Sequence, residues 1–343
     1  MFMQQNKPTP EEKAQQRRKT WNGFASFFFT VIAIRVVSQP ARYPVSHRIN
    51  QRIRDMSASA KEFKDILNAE VHIDLDKLRE SSRHGIPMEV RGEAWKYLLG
   101  VNPADRSQEI TSIKDKYEEY LAIEKENIDI NKRVRGEVSR YQRKVKGFDD
   151  TNDSNDYTVV FENVIGAYMN HNRDVDYHPA LVHLCAPFVY CIKNECEVYY
   201  CFARLMSMLD EYNLTHSNIN ERVANFMTLF RSVNPDLCNY FEEEEVDINE
   251  WASSWLQNLL AKELQFEDLL RLWDTYFSIE NPMEFHPYVC LALLKHTREN
   301  LEELEQSEIQ IMLLRLPSLD MEQIINQAFS IYHEMLERQI SDF

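Results

Sequence analysis

The chain has 343 residues, 44% of them apolar and 11% aromatic, and a net charge of −16, so it can bury a substantial core in one large or two medium domains. Residues 1 to 55 carry ten Lys or Arg against three acids, which leaves the remainder at about −23. An acidic body excludes a nucleic-acid-binding surface, which needs clustered Lys and Arg to neutralise phosphates, and points to a protein partner.

In chain order, a polar and basic head leads into the apolar run Phe24 to Ile34. Eleven residues do not span a bilayer, and no cleavage site follows, so no signal peptide is read here. The run fits either an extra strand or helix packed on a domain, a segment unrelated to the fold, or interfacial docking of residues 1–45 on an endomembrane. Pro40 and Pro44 mark a linker, and residues 1–46 form a unit of their own. A helical lead-in covers 47–82, with Ile66, Leu67, Val71, Ile73, Leu75 and Leu78 before a break at His84-Gly85-Ile86-Pro87. A helix then starts, with Pro87 suited to its first turn. Val90, Ala94, Trp95, Leu98 and Leu99 follow at three- and four-residue steps, and Gly100 closes it.

Residues 108–145 read as charged helix and Lys146 to Asp156, rich in turn formers, as a loop. Apolar residues dominate from Tyr157 to Ser232. Within them Cys185, Cys191, Cys196 and Cys201 lie near His178 and His183, but steps of five or six residues do not line one helix face, so no metal is expected. Six cysteines without a CxxC pair read as reduced core residues of a cytosolic protein. Glu242 to Glu245 reads as a solvated loop. Helices are expected at Trp251 to Glu263, Phe266 to Phe277 and Pro287 to Glu305, followed by a last pair split at Pro317. The last glycine is Gly166, so half the chain lacks the residue that β-turns favour, and the expected fold class is all-α.

Two stretches go beyond generic helix. Gly85-Ile86-Pro87 is followed by Arg91 and Trp95, four residues apart on one face, where a guanidinium can lie over an indole. Later, Trp251 and Trp255 precede Leu259-Leu260 and Glu263, and then come Arg271-Leu272-Trp273-Asp274. Trp255, Leu256, Leu259 and Leu260 make one apolar stripe, and Leu269, Leu270, Trp273 and Phe277 another, as two facing helices require. In this order the stretches resemble the TBC domain of Rab GTPase-activating proteins over residues 83–280, with 281–343 as C-terminal helices packed on it. One departure is Ser254, where the family commonly has arginine.

The resemblance implies a two-lobed helical fold and an activator of a Rab-family small GTPase in vesicle trafficking rather than a free-standing enzyme. No glycine loop for phosphates, GxSxG or HExxH is present. It also implies that GTP and Mg²⁺ are carried by the partner, with no cofactor of the chain's own. TBC proteins supply an arginine from an IxxDxxR motif and a glutamine from YxQ; an arginine supplied by an activator is worth roughly 10³ to 10⁵ in rate. Val134 to Arg140 matches the first motif, which puts Arg140 at the finger position and Glu137 as its orienting acid. On composition alone, an arginine in this crowded segment is a solvated surface charge. Tyr177-His178-Pro179 occupies YxQ, with Tyr177 retained and Pro179 where the glutamine belongs. Proline has no side-chain donor or acceptor and no N–H with which to hold water. His178 is either a loop residue or a group that orients water. The alternative to an activator is a catalytically silent, Rab-binding adaptor of the same fold; a third possibility is an unrelated helical scaffold.

Overall fold

The computed structural model describes residues 59–145, 154–215 and 218–341. Every regular element among them is helical, apart from one isolated antiparallel bridge between His72 and Asp105. Residues 59–67 form α1, followed by α2 (Leu75–Ser82), α3 (Met88–Leu98), α4 (Glu109–Ala122), α5 (Ile128–Lys144), α6 (Ser154–His171), α7 (Ala180–Cys191) and α8 (Glu195–Thr215). The second half holds α9 (Ile219–Val233), α10 (Pro235–Glu243), α11 (Ile248–Asn258), α12 (Phe266–Ser278), α13 (Pro282–His296), α14 (Arg298–Leu301), α15 (Gln306–Leu314) and α16 (Met321–Ser341). The all-α class read from the sequence holds. The apolar run Phe24 to Ile34 and the basic head lie outside the described residues.

The helix starts have local causes. Asp74, Asn127, Asn218 and Asp247 each cap a helix by accepting a backbone N–H from its first turn, and Pro235 opens α10, where its missing N–H has no helical partner to lose. The charged helical stretch 108–145 divides into two helices, parted at 123–127 with Asn127 capping the second. The expected loop up to Asp156 ends earlier, because α6 already begins at Ser154. The acidic run starts on a helix rather than in a loop, since α10 continues to Glu243 and Glu242 pairs with Arg231.

Two boundaries in the second half also depart from the periodicity. Helix α11 stops at Asn258 instead of reaching Glu263, because Leu259 and Leu260 take positive φ of 48° and 61°. That conformation is costly for leucine. Burial of both side chains offsets it, and the Trp273 indole donates to the Leu259 carbonyl at 3.4 Å. Pro282, not Pro287, occupies the first turn of α13, and Pro287 lies inside that helix.

A long-range tie is made by Asp274 on α12, whose side chain is fully buried. Its two oxygens accept the backbone N–H of Ile86 at 2.9 Å, the indole N–H of Trp95 at 2.9 Å, and the guanidinium of Arg91 at 3.1 to 3.2 Å. The Gly85-Ile86-Pro87 turn, Arg91 and Trp95 thus converge on one carboxylate. Arg91 and Trp95 share a helix face as expected, but they meet at Asp274 instead of stacking, because a buried guanidinium gains more from a carboxylate than from an indole face. Burial opposes charge on Arg91, and Asp274 outweighs it, holding the guanidinium above its ordinary pKa. Gly85 takes φ of +95°, and a Cβ there would stand 3.1 Å from Arg271. Arg271 in turn donates to the Arg83 carbonyl at 2.8 Å and to Glu322 of α16. Trp95 then packs edge-on against Phe188 and Phe277 and tilted against Trp273. Trp251 and Trp255 stand edge to face on α11, and all four tryptophans named here are fully buried.

Replacing Asp274 by Ala leaves Arg91 buried without a counter-charge, and urea denaturation is expected to show a loss of about 3 to 5 kcal/mol. Asp274→Asn is expected to lose a comparable amount, since its amide N–H₂ would face N–H donors. An unchanged midpoint in either variant would remove Asp274 as the tie.

His286 of α13 is the second buried polar centre. Its Nε2 donates to the Trp255 carbonyl at 2.8 Å, so Nδ1, 2.5 Å from the Tyr276 hydroxyl, is the acceptor in a neutral ring. Burial lowers its pKa to about 4, against about 6.5 in an unfolded chain. The unfolded state therefore binds the extra proton first, and the stability that His286 contributes is full above about pH 6.5 and lost as pH falls toward 4. Between pH 7 and 4.5 this amounts to roughly 2 to 3 kcal/mol, and His286→Gln is expected to show a correspondingly smaller drop in urea midpoint over that range.

Candidate functional site

Helix α5 is amphipathic. Val134, Val138 and Tyr141 face the core, and Arg133, Gly136 and Arg140 recur at three- and four-residue steps on the other side. The turn that leads into α7 brings Tyr177 and Pro179 alongside. Asp129, Lys132, Arg133, Gly136, Arg140, Tyr177 and Pro179 line one open cleft. Lys132, Arg133 and Arg140 stand there against Asp129 and the Glu137 that pairs with Arg140, which leaves the cleft with a small positive excess on a chain whose body is strongly acidic, an arrangement that favours an anionic group.

Arg140, with its side chain 59% exposed, folds back on its own helix. Its Nε donates to Glu137 Oε2 at 2.9 Å and Nη2 donates to the same oxygen. The other Glu137 oxygen lies 3.4 Å from Nε2 of His183 on α7, and the His183 ring stands edge-on to Tyr141 at 5.0 Å. Burial raises the Glu137 carboxyl, but the hydrogen bond and charge of Arg140, with His183 behind them, carry it below its ordinary pKa. Burial lowers the His183 pKa in spite of the Glu137 carboxylate beside it.

Arg133 and His183 are the residues that the motif left out. The Arg133 guanidinium lies 4.4 Å from the centre of the Tyr177 ring and donates to the Tyr177 carbonyl at 3.2 Å. It fixes the turn that carries Pro179. The signal was available: Arg133 precedes Arg140 by seven residues, two helical turns, and so shares its face. Tyr177 is buried, and its hydroxyl has no hydrogen-bond partner among the described residues. His178 accepts the Ala180 N–H on Nδ1 at 3.2 Å, which turns its ring toward the start of α7. Pro179, with φ of −55°, immediately precedes that helix. Ile86, Arg91 and Trp95 meet instead at the Asp274 carboxylate, with Gly85 and Pro87 flanking Ile86 in its turn; Arg271 bonds Arg83 and Glu322, and Trp255 and Trp273 fill the core.

All six cysteines are free thiols. Among the described residues no three His, Cys, Asp or Glu side chains are grouped to hold a metal, and no helix is long and apolar enough to cross a membrane.

A model of the Rab-GTPase-TBC domain matches residues 88–302, well over half of the chain. The chain belongs to the Rab-GTPase-TBC domain family. Its TBC relatives include the GTPase-activating protein gyp1 of Schizosaccharomyces pombe, 26% identical over 308 residues that cover 78% of this chain and 60% of that protein. TBC1 domain family member 22B of Homo sapiens is 25% identical over 294 residues, 76% of this chain and 57% of that one. The chain thus spans about three fifths of the length of these curated relatives. The crystal structure of the Ypt/Rab-GAP domain of Gyp1p shares the fold, with a TM-score of 0.68 at 21% identity over 82% of this chain and 99% of that domain. A Chlamydomonas flagellar RabGAP TBC domain does so with a TM-score of 0.61 at 20% identity, over 84% and 96%.

In this TBC chain Gly136 leaves the cleft floor open, and a Cβ built there meets nothing within 4 Å. Gly136→Ala is therefore expected to stabilise the protein by roughly 0.5 to 1 kcal/mol, through helix propensity alone, with a matching rise in melting temperature. A fall would show the position to be crowded.

Proposed function

We propose that the chain accelerates GTP hydrolysis on a Rab-family GTPase, with Arg140 supplied in trans as the arginine finger and Glu137 as the acid that orients it. The observation that carries this reading is that Arg140 is exposed on a positive cleft shared with Tyr177 and Pro179. In solution Glu137 holds the guanidinium against α5. The more concentrated negative charge that develops on a transferring phosphoryl group competes for it, and a guanidinium that stabilises this charge lowers the barrier. GTP and Mg²⁺ belong to the GTPase in this mechanism. Pro179 stands where the family's glutamine is expected and offers no group to hold the attacking water, so the GTPase's own glutamine positions it. The membrane association of residues 1–45 is a separate proposal, with the composition of that segment as its support.

Pro179 also favours a second reading, in which the same surface binds a GTP-loaded Rab without accelerating hydrolysis. Single-turnover hydrolysis with a panel of purified Rabs separates the two. Under the first, wild type stimulates at least one Rab, and Arg140→Ala lowers the stimulated rate by roughly 10² or more with a smaller effect on affinity. Arg133→Ala weakens binding along with rate because the Tyr177 turn loosens, and Pro179→Gln raises the rate. Binding to a GTP-loaded Rab with hydrolysis at the intrinsic rate throughout the panel would leave the adaptor reading standing and overturn the first.

A further inference from the structure

A second cleft, which shares no lining residue with the first, lies among α8, α9, α11, α13 and α16. Tyr212, Phe226, Leu256, Met283, Tyr288 and Tyr332 give it apolar walls, and Arg222 of α9 is its cation. Arginines on this chain that are buried or half-buried come with a carboxylate: Arg79 with Asp76, Arg91 with Asp274, Arg106 with Glu109, Arg271 with Glu322, and Arg298 with Asp236 and Glu302. Half-buried Arg222 is the exception among the described residues. It donates to the Asn213 amide oxygen at 2.6 Å and the Leu256 carbonyl at 2.8 Å, and its guanidinium lies 5.0 Å from the centre of the Tyr212 ring. All three are neutral. Burial, only partly opposed by Tyr212, lowers its pKa, whereas Arg91 is raised by its carboxylate.

A guanidinium taken partly out of water with no counter-charge is a cost that an anion would remove, and the apolar walls select an anion that brings apolar surface with it. Glu284 also lines the cleft, but it is exposed and makes no ion pair with Arg222. His286, at the buried floor, is neutral near pH 7 and adds no competing charge.

We propose that this cleft is a binding site for a small amphiphilic carboxylate, an acyl chain or aryl group that carries one carboxylate, held with its oxygens on Arg222 and its apolar part against Phe226, Leu256 and Tyr332. The fork of N–H donors on Arg222 that is not spent on Asn213 and Leu256 receives the carboxylate, and Glu284 opposes it electrostatically. Arg222 also has a structural task, closing the end of α11 through the Leu256 carbonyl, so the test has to separate the two.

Isothermal titration calorimetry of the full chain with octanoate and 4-phenylbutyrate, each beside its neutral amide, provides that test. Saturable one-to-one binding of the acids is expected, at least about tenfold weaker for the amides and for Arg222→Gln, in keeping with the value of a hydrogen bond to a charged group. Glu284→Gln is expected to tighten binding, because it removes a negative charge from the cleft. Should Arg222→Gln fail to fold, the acid–amide contrast and Glu284→Gln still decide. The proposal is overturned if neither acid saturates at millimolar concentration, if the amides bind as well as the acids, or if Arg222→Gln melts lower and binds unchanged, which would leave Arg222 as a closing group for α11 alone.

Discussion

The fold depends on one carboxylate buried where water cannot reach it. Asp274 takes hydrogen bonds from a backbone N–H, an indole and a guanidinium, all contributed by the segment between Ile86 and Trp95, more than 170 residues earlier in the chain. A fully buried carboxylate without partners is far too costly to keep charged, and one with every lone pair engaged is tolerated and specific. The requirement runs in both directions. Arg91 and Trp95 have to lie on one helix face, and Gly85 has to turn through positive φ beside the Arg271 side chain. Asp274 has to emerge from an otherwise apolar stripe. This is why residues scattered through the sequence form a signature: they share a single electrostatic constraint.

The candidate site has a different character. Nothing in it is buried as deeply, and its charges are held by short-range arrangements on α5 and the α7 turn. His183 braces Glu137, Glu137 holds Arg140, and Arg133 clamps the turn that presents Tyr177 and Pro179. The core-facing Val134, Val138 and Tyr141 fix the helix, so the exposed face can be rearranged without disturbing the packing. A positive cleft on an acidic body is suited to steering an anionic partner, and its effect should weaken as salt screens it.

What could be read in advance followed from periodicity and from residue types with one dominant physical preference. The three- and four-residue spacing in Val90 to Leu99 and in Leu269 to Phe277 matches helices of nearly the observed extent, and Trp95 and Trp273 on those stripes lie in the core, as does Trp255. Residues governed by tertiary context escaped. Leu259 and Leu260 look like two more positions of an apolar stripe, yet they turn the chain left-handed because their burial and the Trp273 indole offset the strain. Ser254, which stands where the resemblance expects arginine, bonds Glu263 at 2.6 Å, leaving the other oxygen of that buried acid without a partner among the described residues. Burial raises the Glu263 carboxyl in consequence. At the site, Arg140 and Glu137 were legible as a pair three residues apart. The contribution of His183 was not, because it comes from a helix more than forty residues later, and the hold of Arg133 on Tyr177 needed the turn's actual path.

The central functional claim is that Arg140 leaves Glu137 to meet the phosphoryl group. The most direct measurement is a crystal structure of the full chain bound to a Rab GTPase loaded with GDP and aluminium fluoride, which mimics the transferring phosphoryl group. The Arg140 guanidinium is expected within hydrogen-bond distance of the fluoroaluminate and detached from Glu137, with Arg133 still seated on Tyr177. Arg140 still folded onto Glu137 in the complex, with Arg133 or no arginine of this chain at the fluoroaluminate, would contradict it.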